Sequence, residues 1–328
     1  MAGSLIAGEY TGPPALTLGR AVTSWTVDLP VLVAVLVAAG LYLAGMRRLH
    51  RGGHPWPAAR AVAFLAGGTG AVVLATMSFL GVYQGVLFSV RAVQNVLLLL
   101  VAPLFLALGR PLSLLIAARP RLGARAGSAV HSRAARILTF PAITAMVLLI
   151  VPFLLYFTPW YEAGLRNDLV RELTYAALMM PGLVFFWTLL RVDPVPKAYP
   201  YLVSLWVTGA EVVGDAVLGL AIIADEHLIA GPYYQALGRP WGPSLRADQV
   251  IGGGALWILG DLVGLPFLAA QLIQMIREDE QEAAQVDAEL DAREAAAETA
   301  GMARAGDDQP WWQSDSRFTG RFRRPGQD

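Results

Sequence analysis

The chain has 328 residues, 55% of them hydrophobic and 15% charged, with zero formal net charge and no cysteine. Soluble domains are about 25% charged, so a single water-soluble core is excluded, and a neutral chain has no basic field to draw it onto nucleic acid, which is not expected as a partner. Without cysteine there are no disulfides, thiolate metal sites, CxxC redox motifs or cysteine nucleophiles.

Crossing the hydrocarbon layer takes about 20 mostly apolar residues. Seven stretches meet that requirement: 26–45, 59–79, 86–108, 137–157, 170–190, 201–224 and 250–276. The expected fold is therefore all-α, a polytopic membrane protein with seven transmembrane helices embedded in membrane lipids. The first stretch is followed by Met46-Arg47-Arg48, has no small-residue cleavage site and no basic segment before it, so it reads as an anchor rather than a signal peptide.

Basic loops resist translocation and stay inside. Arg47, Arg48, Arg51 and Arg60 follow the first stretch, and Arg110, Arg119, Arg121, Arg125, Arg133 and Arg136 follow the third, whereas the alternate connections carry few. The expected topology is N-out and C-in, with residues 1–25 extracytoplasmic, 26–276 in the membrane and 277–328 cytoplasmic. Pro111–Ala118 is apolar but too short to span and is expected to lie in the interface. After Ile276 the composition turns to Arg277-Glu278-Asp279-Glu280 and an Ala/Glu/Asp-rich run, which favours a charged helix. From Gly301 the Gly-, Asp-, Pro- and Arg-rich tail, with Trp311-Trp312 and Arg321–Arg324, reads as partly disordered.

Ionisable groups inside a membrane are costly unless paired or hydrated, so each is a functional candidate. In the third stretch Arg91, Gln94 and Asn95 share one helical face by their spacing of three and four. The sixth carries Glu211 and Asp215 one turn apart, and the seventh carries Asp261; Arg91 is the counter-charge available to these carboxylates. Glu172 lies in the first turn of the fifth, where the helix dipole stabilises a carboxylate, ahead of Tyr175. Buried ion pairs between helices would account for the same residues without any ligand.

The histidines His50, His54, His131 and His227 all fall outside the spans, so a multi-histidine haem or metal centre is not expected within them. The single lysine, Lys197, falls in a loop, which sets aside a Schiff-base retinal protein. There is no HExxH, GxSxG or phosphate-binding glycine loop, so no enzymatic activity is expected. The run Gly252-Gly253-Gly254 reads as close helix packing.

Several strings occur in a telling order. They are Leu87 to Leu97 with Gln94, Val101-Ala102-Pro103, Leu108-Gly109-Arg110-Pro111, Thr158-Pro159-Trp160-Tyr161, Gly182 with Phe185-Phe186-Trp187, and Asp193-Pro194-Val195-Pro196. Asp248-Gln249, Gly252-Gly253 and Trp257-Ile258-Leu259-Gly260 complete the series. Together they resemble the cytochrome c oxidase assembly factors of the caa3 CtaG type, common in Gram-positive and actinobacterial genomes, over roughly residues 60–275. The resemblance implies a seven-helix, non-enzymatic factor that helps assemble haem-copper oxidases, with oxidase subunits or other assembly factors as partners and copper as a cargo handled at the outer face. It also implies histidines where this chain has Arg91 and Asn95, and one near Tyr175. Guanidinium cannot coordinate copper and a carboxamide is a poor ligand for it, so no cofactor is expected, copper entering only through the resemblance. A small ion or solute transporter lined by Arg91, Glu211, Asp215 and Asp261 is the alternative.

Overall fold

A computed structural model describes residues 10–196 and 199–299, and among these every regular element is a helix. Lys197, Trp311-Trp312 and Arg321–Arg324 lie outside the described residues. In chain order the helices are α1 (Leu18–Thr23), α2 (Leu29–Arg51), α3 (Ala58–Tyr83), α4 (residues 88–108), α5 (Pro111–Ala118), α6 (Pro120–Val130) and α7 (Arg133–Leu138). They continue with α8 (Pro141–Phe157), α9 (Trp160–Arg166), α10 (Asp168–Leu190), α11 (Tyr201–Ala224), α12 (Gly231–Leu237) and α13 (Leu245–Thr299). Six are long and apolar enough to cross a membrane, namely α2, α3, α4 continued by α5, α10, α11 and α13; the pair α8 and α9 makes a seventh if its 68° bend is taken within one span.

That bend has a local cause. Thr158 is extended (φ −126°, ψ 171°), as the residue before Pro159 prefers, and its hydroxyl closes the end of α8 by donating to the Leu154 carbonyl at 2.6 Å. Helix starts are set by caps rather than by the edge of the apolar stretch. Asp28 accepts from the Val31 amide and starts α2 at Leu29, while Asn167 does the same for α10 through Val170. The expected fourth stretch began at Ile137, but Ile137 belongs to α7 and the spanning helix starts afresh at Pro141.

Two helices are capped from a distance by aspartates of other segments. Asp248, at the start of α13, accepts the Phe88 amide at 2.8 Å, the Ser89 amide at 3.2 Å and the Ser89 hydroxyl at 2.5 Å, so it closes the first turn of α4. Arg239 approaches the same carboxylate at 3.8 Å, both side chains being almost fully buried. Asp193, in the loop after α10, treats α5 identically: it accepts the Leu112 amide at 3.0 Å, the Ser113 amide at 2.8 Å and the Ser113 hydroxyl. Gln249 ties down the loop after α11 by accepting from the Ile229 amide at 2.9 Å and donating to the His227 carbonyl at 3.0 Å.

Glycines let the bundle close. A Cβ at Gly182 of α10 would run into the Leu99 carbonyl of α4 and sit 2.9 Å from Pro103, and a Cβ at Gly109 would meet the Phe64 side chain of α3. Gly252 packs on Phe88 and Ser89, and Gly253 on the Gly219 carbonyl at 2.9 Å, while Trp257 covers Gly219. Gly252 and Gly253 thus pack closely as expected, whereas Gly254 faces open space. Helix α4 is the axis of the bundle; its turns widen to π geometry over Leu97–Val101, just before Pro103, which brings no amide hydrogen to the ladder. Helix α2 lies at the edge, with Tyr42 its one buried residue, stacked on Phe64 at 4.1 Å and donating to the Gly109 carbonyl at 2.7 Å.

The chain divides into two compact units between Ile273 and Gln274. In the second, residues 277–293 are exposed, and Arg293 pairs with Glu289 at 4.0 Å along the helix.

Candidate functional site

Arg91, Gln94 and Asn95 do share one face of α4, and all three are buried, with relative exposures of 1%, 0% and 3%. The Asp248 cap fixes where α4 begins and so places Arg91 within its first turn. The bend at Pro159 swings α9 across this face. Gly164 of α9 leaves the room the guanidinium needs, since a Cβ there would stand 2.9 Å from Arg91 Nη2. The guanidinium lies over the Tyr161 ring at 5.0 Å, and the Tyr161 hydroxyl meets that of Tyr234 from α12 at 2.9 Å. Burial pushes the Tyr234 phenol well above its ordinary range, so it stays neutral.

Among the described residues no carboxylate lies within ion-pair distance of Arg91, and its Nε and Nη1 have no hydrogen-bond partner. A buried cation without an anion is expensive. The aromatic face offsets part of that cost, as a desolvated cation over a ring gains about 2 kcal/mol.

One turn deeper the site is held by amides and phenols. Asn95 Nδ2 donates to the Tyr156 hydroxyl of α8 at 2.7 Å. Gln94 Nε2 donates to the Ala75 carbonyl of α3 at 2.8 Å and lies 3.5 Å from the Tyr175 hydroxyl, which in turn donates to Gln84 Oε1 at 2.7 Å. Gln94 Oε1 is buried without a partner. Tyr175 therefore belongs with Arg91, Gln94 and Asn95. Glu172 does not: it is partly exposed, 3.4 Å from Arg171 and close to Asp28 of α2. The first-turn acid of α10 is Asp168 rather than Glu172, because Asn167 starts the helix earlier than the apolar pattern implies.

The carboxylates form a separate group. Glu211 and Asp215, one turn apart on α11, are 2% and 8% exposed, and Asp261 follows Gly260 on the stretch of α13 that meets them. Gly260 and Gly264 of α13 make the room: a Cβ at Gly260 would strike Asp215 Oδ2, and one at Gly264 would lie 3.3 Å from Glu211 Oε2. Arg91 is not their counter-charge. The guanidinium is turned onto α9, and Asn95 is the residue of this face that borders a cavity of about 10 Å³ together with Asp215, Tyr156 and Pro152.

Residues 40–278 match the family model for the cytochrome c oxidase caa3 assembly factor. The chain belongs to that family. Uncharacterized proteins of Mycobacterium bovis and Mycobacterium tuberculosis are each 31% identical to it over 291 residues, and one of Mycobacterium leprae is 29% identical over 293. Each alignment takes in 86% of this chain and 44% of the relative, so the chain spans less than half the length of these relatives. No solved structure matches it.

The donor set at the α4 face of this family member is a guanidinium, two carboxamides and phenols. The amide nitrogens of Gln94 and Asn95 already act as hydrogen-bond donors, and nitrogen in that state has no lone pair for a metal. Among the described residues no three His, Cys, Asp or Glu side chains converge as a metal site. These residues do not fit copper. The residues that sequence reasoning left out of the site are Tyr156, Tyr161, Tyr234, Gln84 and Gly164. The one available signal was Tyr161 within the Thr158-Pro159-Trp160-Tyr161 string; the others come from segments whose proximity depends on the bend.

Proposed function

We propose that this chain is a non-enzymatic assembly or accessory factor for a haem-copper cytochrome c oxidase, acting in the bacterial cytoplasmic membrane by holding oxidase subunits or other assembly proteins. Its face on α4 takes no part in coordinating copper. The observation that carries this reading is the site itself: Arg91 over Tyr161, Asn95 on Tyr156 and Gln94 against Tyr175 form a set of buried polar contacts without a metal-donor set, within a chain of the oxidase assembly family. The N-out, C-in orientation is part of the proposal, supported by the exposed arginines Arg47, Arg48, Arg51, Arg119, Arg121, Arg125, Arg133 and Arg136 at one end of the bundle.

The test is affinity purification of the full chain from native membranes under mild detergent. Oxidase subunits or other oxidase assembly proteins should co-purify, and a strain lacking the chain should contain less spectroscopically active haem-copper oxidase. Normal oxidase content in that strain, with none of these proteins recovered, would refute the reading. The transporter alternative gains nothing from the arrangement of Arg91 apart from the carboxylates.

A further inference from the structure

We propose that Glu211 and Asp215 form a proton-binding site inside the membrane, a carboxyl pair that holds one proton in common. The proposal is independent of the oxidase-assembly reading. Its first support is geometric: the two residues lie one turn apart on α11, both almost fully buried, and two carboxyls on one face in that setting join only with a hydrogen between their oxygens, since a carboxylate oxygen cannot donate.

The surroundings supply no other way to hold them together. Among the described residues no arginine, lysine or histidine lies within ion-pair distance of either group. The groups around the pair are Asp261 from α13, acidic itself and with Oδ1 buried and unpartnered, and, across the cavity that Asp215 borders, Asn95 from α4, Tyr156 from α8 and the apolar Leu178 from α10. Two like charges in a low-dielectric seam cannot both persist, and a shared proton removes one of them.

The second support is that the seam is shaped for these side chains. Gly260 and Gly264 stand where any Cβ would collide with or crowd the Asp215 and Glu211 oxygens. The cavity of about 10 Å³ beside Asp215 has room for about one water and is bordered by Asn95 and the Tyr156 phenol, so Asp215 is about one water away from the residues beside Arg91. Loss of that proton would leave two or three charged carboxylates in one helix seam, loosening α11 from α13.

Dicyclohexylcarbodiimide, which adds to protonated carboxyls in apolar surroundings, tests this on the full chain in native membranes, with adducts mapped by mass spectrometry across a pH series. The adduct should form on Glu211 or Asp215 and decline about tenfold per pH unit above its midpoint. In Glu211→Gln or Asp215→Asn the remaining carboxyl loses its charged neighbour, so the midpoint should fall by about one pH unit or more. Asp261→Asn should retain the adduct on the pair. An unchanged or raised midpoint in either single variant, an adduct confined to Asp261, or no adduct on the pair at any pH would overturn the proposal. The wild-type adduct map and pH profile decide the matter even if a variant misfolds.

Discussion

Asp248 accepts the Ser89 hydroxyl at 2.5 Å across 159 positions of sequence, joining the start of the last long helix to the first turn of the central one. The same carboxylate takes the Phe88 and Ser89 amides, so three donors at the head of α4 depend on one side chain. Asp248→Ala should destabilise the protein by about 2–4 kcal/mol, through loss of the cap and isolation of the buried Arg239 charge. Asp193→Ala removes an equivalent cap from α5 and should cost about 1–2 kcal/mol. Thermal unfolding of the purified variants in one detergent should rank them in that order, with Asp248→Ala lower in Tm.

Glycine positions separate close approach from mere composition. Gly182→Ala puts a methyl group into the Leu99 carbonyl, and helices this close have no flexible side chain to yield, so a loss of about 1–3 kcal/mol or failure to accumulate is expected. Gly254→Ala meets nothing within 4 Å and should leave folded yield and Tm unchanged or slightly raised. Expression and unfolding of the two variants side by side check the contrast.

The spans were legible because hydropathy alone marks them, and the shared face of Arg91, Gln94 and Asn95 was legible because helical periodicity needs no tertiary information. Their partners were not. Nothing in the pattern announces that a bend at Thr158-Pro159 brings Tyr161 under Arg91, or that a missing side chain at Gly164 decides where the guanidinium goes. Arg91 looked like the counter-charge of Glu211, Asp215 and Asp261 because charge can be counted along a sequence and direction cannot. The aspartates of the Asp193 and Asp248 strings stood out by resemblance, and the structure gives each a plain physical task at a helix start.

The wild-type protein should bind no stoichiometric copper through the α4 face. Arg91→His combined with Asn95→His places two imidazoles one turn apart on the same buried face, a donor pair suited to copper. Elemental analysis after copper loading and desalting should show a gain of metal in the double variant over wild type; equal, near-stoichiometric copper in both would show that the metal binds elsewhere.

Orientation can be read directly because the chain has no cysteine of its own. His54 and His227 are both exposed and belong to connections at opposite ends of the spans. In intact cells a membrane-impermeant maleimide should label His227→Cys and spare His54→Cys until the membrane is opened. The reverse pattern would invert the proposed topology.

Tyr156→Phe leaves the Asn95 amide buried without its acceptor and should cost about 1–3 kcal/mol. Tyr175→Phe removes a hydroxyl from a partly buried contact with Gln84 and should cost less. Denaturation midpoints of the two variants test the order.

The widened turns at Leu97–Val101 have a consequence for how this sequence tolerates change. They act as a phase shifter between two halves of one helix: the half bearing Arg91, Gln94 and Asn95 is indexed to the Asp248 cap, and the half bearing Pro103 and Gly109 to Gly182 and Phe64. Removing a single residue within that segment would turn one half against the other by about 100°, so that the polar face and the glycine contacts could no longer both be met. Substitutions there are a matter of packing, whereas a one-residue deletion is a matter of register, and it should be the less forgiving lesion by far.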